Sequence, residues 1–184
     1  MTVLLGLTLL IALAAIGRDA RILPFHGTCA AACVSGIGHG APALAALILL
    51  PLLNGAGWIV LRRYIAWRSG DLRERRAAQQ SAALAVCAAI LLVLLTALAA
   101  MPGLPVLICT GIVLSGLCAV ALPTPLFQLT GLLCALNGLL LLGGHTQSWP
   151  LILGTALVWS GLLALGGWLM PRLAWSRIGS NIDG

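Results

Sequence analysis

The sequence predicts an all-α membrane protein, a polytopic bundle of about seven transmembrane helices. Three observations lead there. Of the 184 residues, 61% are hydrophobic and only 8% are charged, whereas soluble domains carry roughly 25% charged residues to cover a water-facing surface. The apolar residues fall into long runs, several of them near the roughly 20 residues that a helix needs to cross a bilayer. The net charge of +6 comes entirely from arginine on the basic side, and all ten arginines lie beside apolar segments. Nucleic acid is not an expected partner, because the chain has no polar domain to present a basic face.

The first run, Thr2–Ile16, is short. No basic residue precedes it, as a secretory signal would require, so it is expected to stay in the mature protein. The second, Ile22–His39, reads ILPFHGTCAAACVSGIGH. Its hydropathy is weak, but small residues suit a helix enclosed by others, where backbones approach closely. Further spans are expected at Ala41–Leu61, Ser81–Met101, Leu104–Leu122, Pro125–Leu142 and Trp149–Met170.

Charge placement decides whether the second run crosses. With seven spans, Arg18 and Arg21, the six arginines from Arg62 to Arg76, and Arg172 and Arg177 all fall on one side. The opposite loops, near Gly40, Pro102 and Gly144–Ser148, receive none. Positively charged loops stay in the cytoplasm, so the expected topology places the amino terminus outside and the carboxyl terminus inside. Residues 1–80 form a three-span half ending in an arginine-rich loop, and 81–184 a four-span half. Tyr64, Trp67, Trp149, Trp168 and Trp175 take interfacial positions, where amphipathic rings belong, while Trp58 and Trp159 sit deeper and are expected to pack. Arg62, Arg63, Arg68, Arg73, Arg75 and Arg76 are read as a topology anchor able to pair with anionic lipid at the cytoplasmic face.

Chemistry inside the spans is sparse. The four carboxylates, Asp19, Asp71, Glu74 and Asp183, all fall in loops or the tail. Intramembrane ionisable groups usually mark proton or substrate paths, and here the candidates reduce to His26 and His39 in the second run and His145 in an outer loop. A histidine can shuttle protons near neutral pH, but near a helix end it serves more often as hydrogen-bonded structure. Cys29 and Cys33 share a helix face with His26 one turn earlier. In an apolar helix, however, cysteine behaves as a small hydrophobe, and neither metal nor cofactor is expected. Asn54 and Asn137 each precede a glycine in an apolar run, a pattern suited to hydrogen bonding between closely packed helices. Pro51 and Pro105 are expected to kink or start helices. With no phosphate loop, nucleophile elbow or paired carboxylates, the chain is not expected to be an enzyme by itself.

The stretch Gly131-Leu132-Leu133-Cys134-Ala135-Leu136-Asn137-Gly138, the preceding LPVLICTGIVLSGLCAVALPTPLFQLTG and the tail WSRIGSNIDG together resemble the hydrogenase-four component E family. These are small bacterial inner-membrane subunits of group 4 [NiFe]-hydrogenase complexes. Their carboxyl-terminal half is similar to the K subunit of complex I and the C subunit of Mrp antiporters. The resemblance implies that the last three spans form a K-like unit and that the partners are other integral membrane subunits of a proton-translocating assembly. It covers nearly the whole chain in topology but only about 60 residues in motif. The relatives carry a membrane glutamate near the motif asparagine, where this chain has Leu133 and Leu136. A leucine cannot hold a proton, so the implied role is a scaffold, with a small stand-alone transporter or channel, or an accessory subunit of another complex, as alternatives.

Overall fold

A computed structural model describes residues 2–14, 20–37, 39–67, 103–119, 122 and 124–180. The described residues form six α-helices and one 3-10 helix, without a strand. In chain order these are α1 (Thr2–Ala14), α2 (Ile22–Ile37), α3 (Ala41–Leu61), the 3-10 helix Arg62–Trp67, α4 (Leu104–Cys118), α5 (Pro125–His145) and α6 (Trp149–Ser180). The expected span Ser81–Met101 lies outside the described residues, as do Arg68, Arg73, Arg75, Arg76 and all four carboxylates.

Proline and glycine set the helix starts. Pro42, Pro105, Pro125 and Pro150 each stand within the first two positions of a helix, where a missing N–H costs nothing and the fixed φ is already helical. Gly40 and Gly103, both with positive φ, precede α3 and α4; their carbonyls accept from the amides of Leu44 and Leu107. α5 closes on a turn in which Gln147 adopts φ 57° and the Ser148 amide reaches back to the Gly143 carbonyl. That is the reach-back pattern of a left-handed helix cap.

Among the described residues, three helical stretches are long and apolar enough to cross a membrane: Ala41–Tyr64, Pro125–His145 and Trp149–Arg172. α2 and α4 are apolar but shorter, with 16 and 15 residues, and α1 has 13. At about 1.5 Å per residue, α2 reaches about 24 Å, short of a hydrocarbon core of about 30 Å. Its helix stops before the left-handed Gly40 rather than running on through His39. The last helix carries the expected span, with an apolar stretch Trp149–Arg172, and continues beyond it through Pro171 to Ser180.

α5 is the hub. It packs on all five other helices, and 72% of its most apolar stretch is buried, against 22% for α6. Its tightest seam is with α4, where small residues let two backbones meet. A methyl group added to Gly116 would collide with the Gly131 carbonyl and stand 2.6 Å from Ala135 Cβ; one added to Gly131 would collide with Ala119. Gly138 continues the seam against Ile112 and the Cys109 carbonyl. On the other side of the bundle, Trp159 of α6 is fully buried and lies over Gly57 of α3, its ring 2.8 Å from the position a Cβ would take.

Candidate functional site

Three of the fully buried polar side chains come together at one place. Asn54 of α3, Asn137 of α5 and His26 of α2 are each 0% exposed. Local sequence explains why α3 can bring its asparagine there. Gly27 faces Asn54 so closely that a Cβ on it would lie 2.7 Å from Asn54 Cβ and Cγ, so only a glycine after His26 leaves room for the amide.

The hydrogen bonds form a directed chain. Asn54 Nδ2 donates to the Leu50 carbonyl at 2.7 Å and to Asn137 Oδ1 at 3.0 Å. Asn137 Nδ2 in turn donates to Asn54 Oδ1 at 2.8 Å and faces His26 Nδ1 at 3.0 Å. Amide orientation and imidazole tautomer have to be inferred from such networks, and one end of this network is fixed. A backbone carbonyl accepts and cannot donate, so Asn54 must point its nitrogen at Leu50. Asn54 Oδ1 then faces Asn137, whose nitrogen is thereby placed between that oxygen and His26. His26 Nδ1 is left as the acceptor, and the ring proton sits on Nε2. The site contains a neutral histidine in one assigned tautomer.

Three helices are tied by this chain. The amide pair spans 83 residues of sequence and the Asn137–His26 bond 111. Three buried polar atoms, Nε2 of His26, Nδ1 of His145 and Nε1 of Trp159, have no hydrogen-bond partner among the described residues. Elsewhere in the core the hydroxyl of Thr8 and the thiol of Cys33 are 3.1 Å apart, linking α1 to α2. Other hydroxyls fold back on their own helices: Ser115 to Ile112 and Thr130 to Leu126, both 2.8 Å.

Of the four polar residues singled out from sequence, the structure therefore gathers three. His39 stands apart, exposed in the turn between α2 and α3. Arg62 and Arg63 are exposed on the 3-10 helix. Cys29 and Cys33 follow His26 along α2, the first partly exposed and the second buried, but no group of three possible metal ligands converges among the described residues.

Sequence reasoning missed Gly27, the Leu50 carbonyl and the tie between Tyr64 and Gly167. Its oxygen donor is the Tyr64 hydroxyl, 3.1 Å from the Gly167 carbonyl. The signal for that last contact was present in the spacing: Pro171 lacks the N–H that would have bonded four residues back to Gly167. No protein-family model, curated protein or solved structure matches this chain.

Proposed function

We propose that the chain is a non-catalytic integral membrane subunit that scaffolds a larger assembly of ion-translocating and electron-transfer subunits, of the complex I-like or membrane-bound hydrogenase type. The observation that carries this reading is the use made of the buried polar groups. Asn54, Asn137 and His26 spend their hydrogen bonds on one another and on a backbone carbonyl, which joins helices instead of lining a path. The network holds no carboxylate, and the K-like stretch lies on α5, the helix around which the others pack. A hub helix without a carboxylate suits a part that positions its neighbours.

Gentle extraction of the tagged chain from its own membrane, followed by identification of what accompanies it, tests this. Large membrane subunits related to antiporter and quinone-binding modules are the expected companions. Recovery as a lone, well-folded monomer would overturn the reading.

A stand-alone transporter or channel is the second reading, favoured by one observation: His26 Nε2 is buried and unpartnered among the described residues. Reconstituted vesicles separate the two. Ion flux that disappears in His26→Leu but survives in His39→Leu supports transport, and absence of flux in the unaltered protein removes it.

A further inference from the structure

The hydrogen bonds through Asn54, Asn137 and His26 have a polarity, and one added proton is enough to reverse it. With a neutral ring every contact is matched. Asn54 Nδ2 donates to the Leu50 carbonyl, the two amides exchange both their bonds, and Asn137 Nδ2 donates to His26 Nδ1. A second ring proton makes both imidazole nitrogens donors. Nδ1–H then meets Asn137 Nδ2 across 3.0 Å, donor against donor.

Two amides with two orientations each allow four arrangements. The existing one fails at His26. Turning Asn137 alone repairs that contact but sets oxygen against oxygen and nitrogen against nitrogen within the amide pair. Turning Asn54 alone breaks the pair and leaves the His26 contact as it was. Turning both restores the pair and presents Asn137 Oδ1 to the ring. The one fault left is then at Leu50, whose carbonyl, 2.7 Å from Asn54 Nδ2 in the neutral arrangement, faces an oxygen instead.

The surroundings leave the amides to answer a charge. α2 packs on α1, α3 and α5, and none of these four helices carries an aspartate, glutamate, lysine or arginine. Their ionisable groups are the thiols of Cys29, Cys33 and Cys134, and His145 as the last residue of α5. A buried charge is tolerated only when it is paired or hydrogen-bonded, and a carbonyl oxygen from Asn137 is the dipole at hand.

We propose that His26 and the two asparagines form a two-state polarity switch, in which a proton taken from bulk water onto His26 Nδ1 turns both amides over together and detaches Asn54 from the Leu50 carbonyl. Asn54 is a positioning residue here: it opposes protonation of His26 through Asn137, because Leu50 fixes which way it points. The state of a ring on α2 is thereby passed to a contact within α3 while the amide pair stays bonded. The switch is independent of whether the chain scaffolds or transports.

The test uses the full chain, with nitrogen-15 histidine and asparagine and carbon-13 leucine carbonyls, in phosphatidylcholine liposomes. Solid-state NMR follows it from about pH 7.5 to about pH 4, a range that spans ordinary histidine titration. Signals of His26 and Asn54 are assigned by their loss in His26→Gln and Asn54→Leu. Near neutral pH, transfer between His26 Nδ1 and Asn137 Nδ2 should be strong across 3.0 Å. As the ring gains its second proton that transfer should fade, and transfer from Asn54 Nδ2 to the Leu50 carbonyl should fade with it. In Asn54→Leu, Asn137 turns without constraint from Leu50. The doubly protonated ring should there be about ten-fold more populated while most rings are still neutral, the equivalent of one net hydrogen bond. Gly131→Ala strains the bundle elsewhere and should leave that population as in the unaltered chain. Proton uptake with the nitrogen transfer undiminished overturns the switch. So does an unchanged population in Asn54→Leu, or an equal rise in Gly131→Ala.

Discussion

The hydroxyl of Tyr64 occupies the position at Gly167 that the missing amide of Pro171 would have filled, 3.1 Å from the carbonyl oxygen. A proline inside a helix normally ends or kinks it, because one carbonyl loses its donor and the ring crowds the preceding turn. Here a side chain from another element supplies the donor, and α6 runs on to Ser180.

This substitution of donors predicts a specific non-additivity. Tyr64→Phe should destabilise the protein by about 0.5–1.5 kcal/mol, the net contribution of one hydrogen bond. In a Pro171→Ala background the helix amide returns to Gly167, and the same Tyr64→Phe change should cost almost nothing. Unfolding of the four proteins in mixed detergent micelles measures the cycle; equal costs in both backgrounds would show that the hydroxyl does not replace the amide.

The asparagine pair makes a second prediction. Asn137→Leu leaves Asn54 and His26 buried without their partner and should cost about 1–3 kcal/mol. Asn54→Leu should cost a similar amount, but the double variant less than the sum, since two leucines leave no orphaned amide. Thermal unfolding of the single and double variants reports this directly, and strict additivity would refute the pairing.

The direction of the network predicts a tautomer. Nitrogen-15 labelling of histidine in the reconstituted protein should show His26 with a protonated Nε2 and a bare Nδ1, assigned by the loss of that signal in His26→Gln. A protonated Nδ1 would mean that the amide orientations deduced from Leu50 are reversed.

Glycine positions separate contact from open space. Gly116→Ala and Gly131→Ala press a methyl group into the α4–α5 seam and should each cost about 1–3 kcal/mol, the range for overpacking. Gly154→Ala and Gly161→Ala, where a Cβ meets nothing within 4 Å, should be neutral or stabilising by up to about 1 kcal/mol, as alanine replaces glycine in a helix. If all four behave alike, the seam is not where the backbones meet.

Helix boundaries were legible where chemistry is abrupt. α3 begins and ends where expected, at Ala41 and Leu61, because Gly40 and Pro42 mark one end and the arginine pair the other. α5 starts at Pro125 for the same reason. The expected last span, Trp149–Met170, agrees with the apolar stretch Trp149–Arg172; what the sequence did not show is that the helix itself runs on to Ser180, with the distant Tyr64 serving the carbonyl that Pro171 frees. Asn54, Asn137 and His26 stood out as polar residues in apolar surroundings, but nothing local indicated that they touch. Nearly every face of these helices is apolar, so periodicity does not say which face meets which. His39 looked equivalent to His26 in sequence and is not, because thirteen positions further on the helix has already ended.

The bond between His26 and Asn137 also orders events during biogenesis. These residues are 111 positions apart, so α2 leaves the ribosome roughly 5 to 20 s before its partner at common elongation rates. Over that interval His26 Nδ1 and, on α3, Asn54 Oδ1 lack the partner that Asn137 supplies. Arrival of α5 supplies both partners at once, through Asn137. A chain cut short before Pro125 therefore carries a visible polar lesion that the finished protein conceals, a natural handle for membrane quality control.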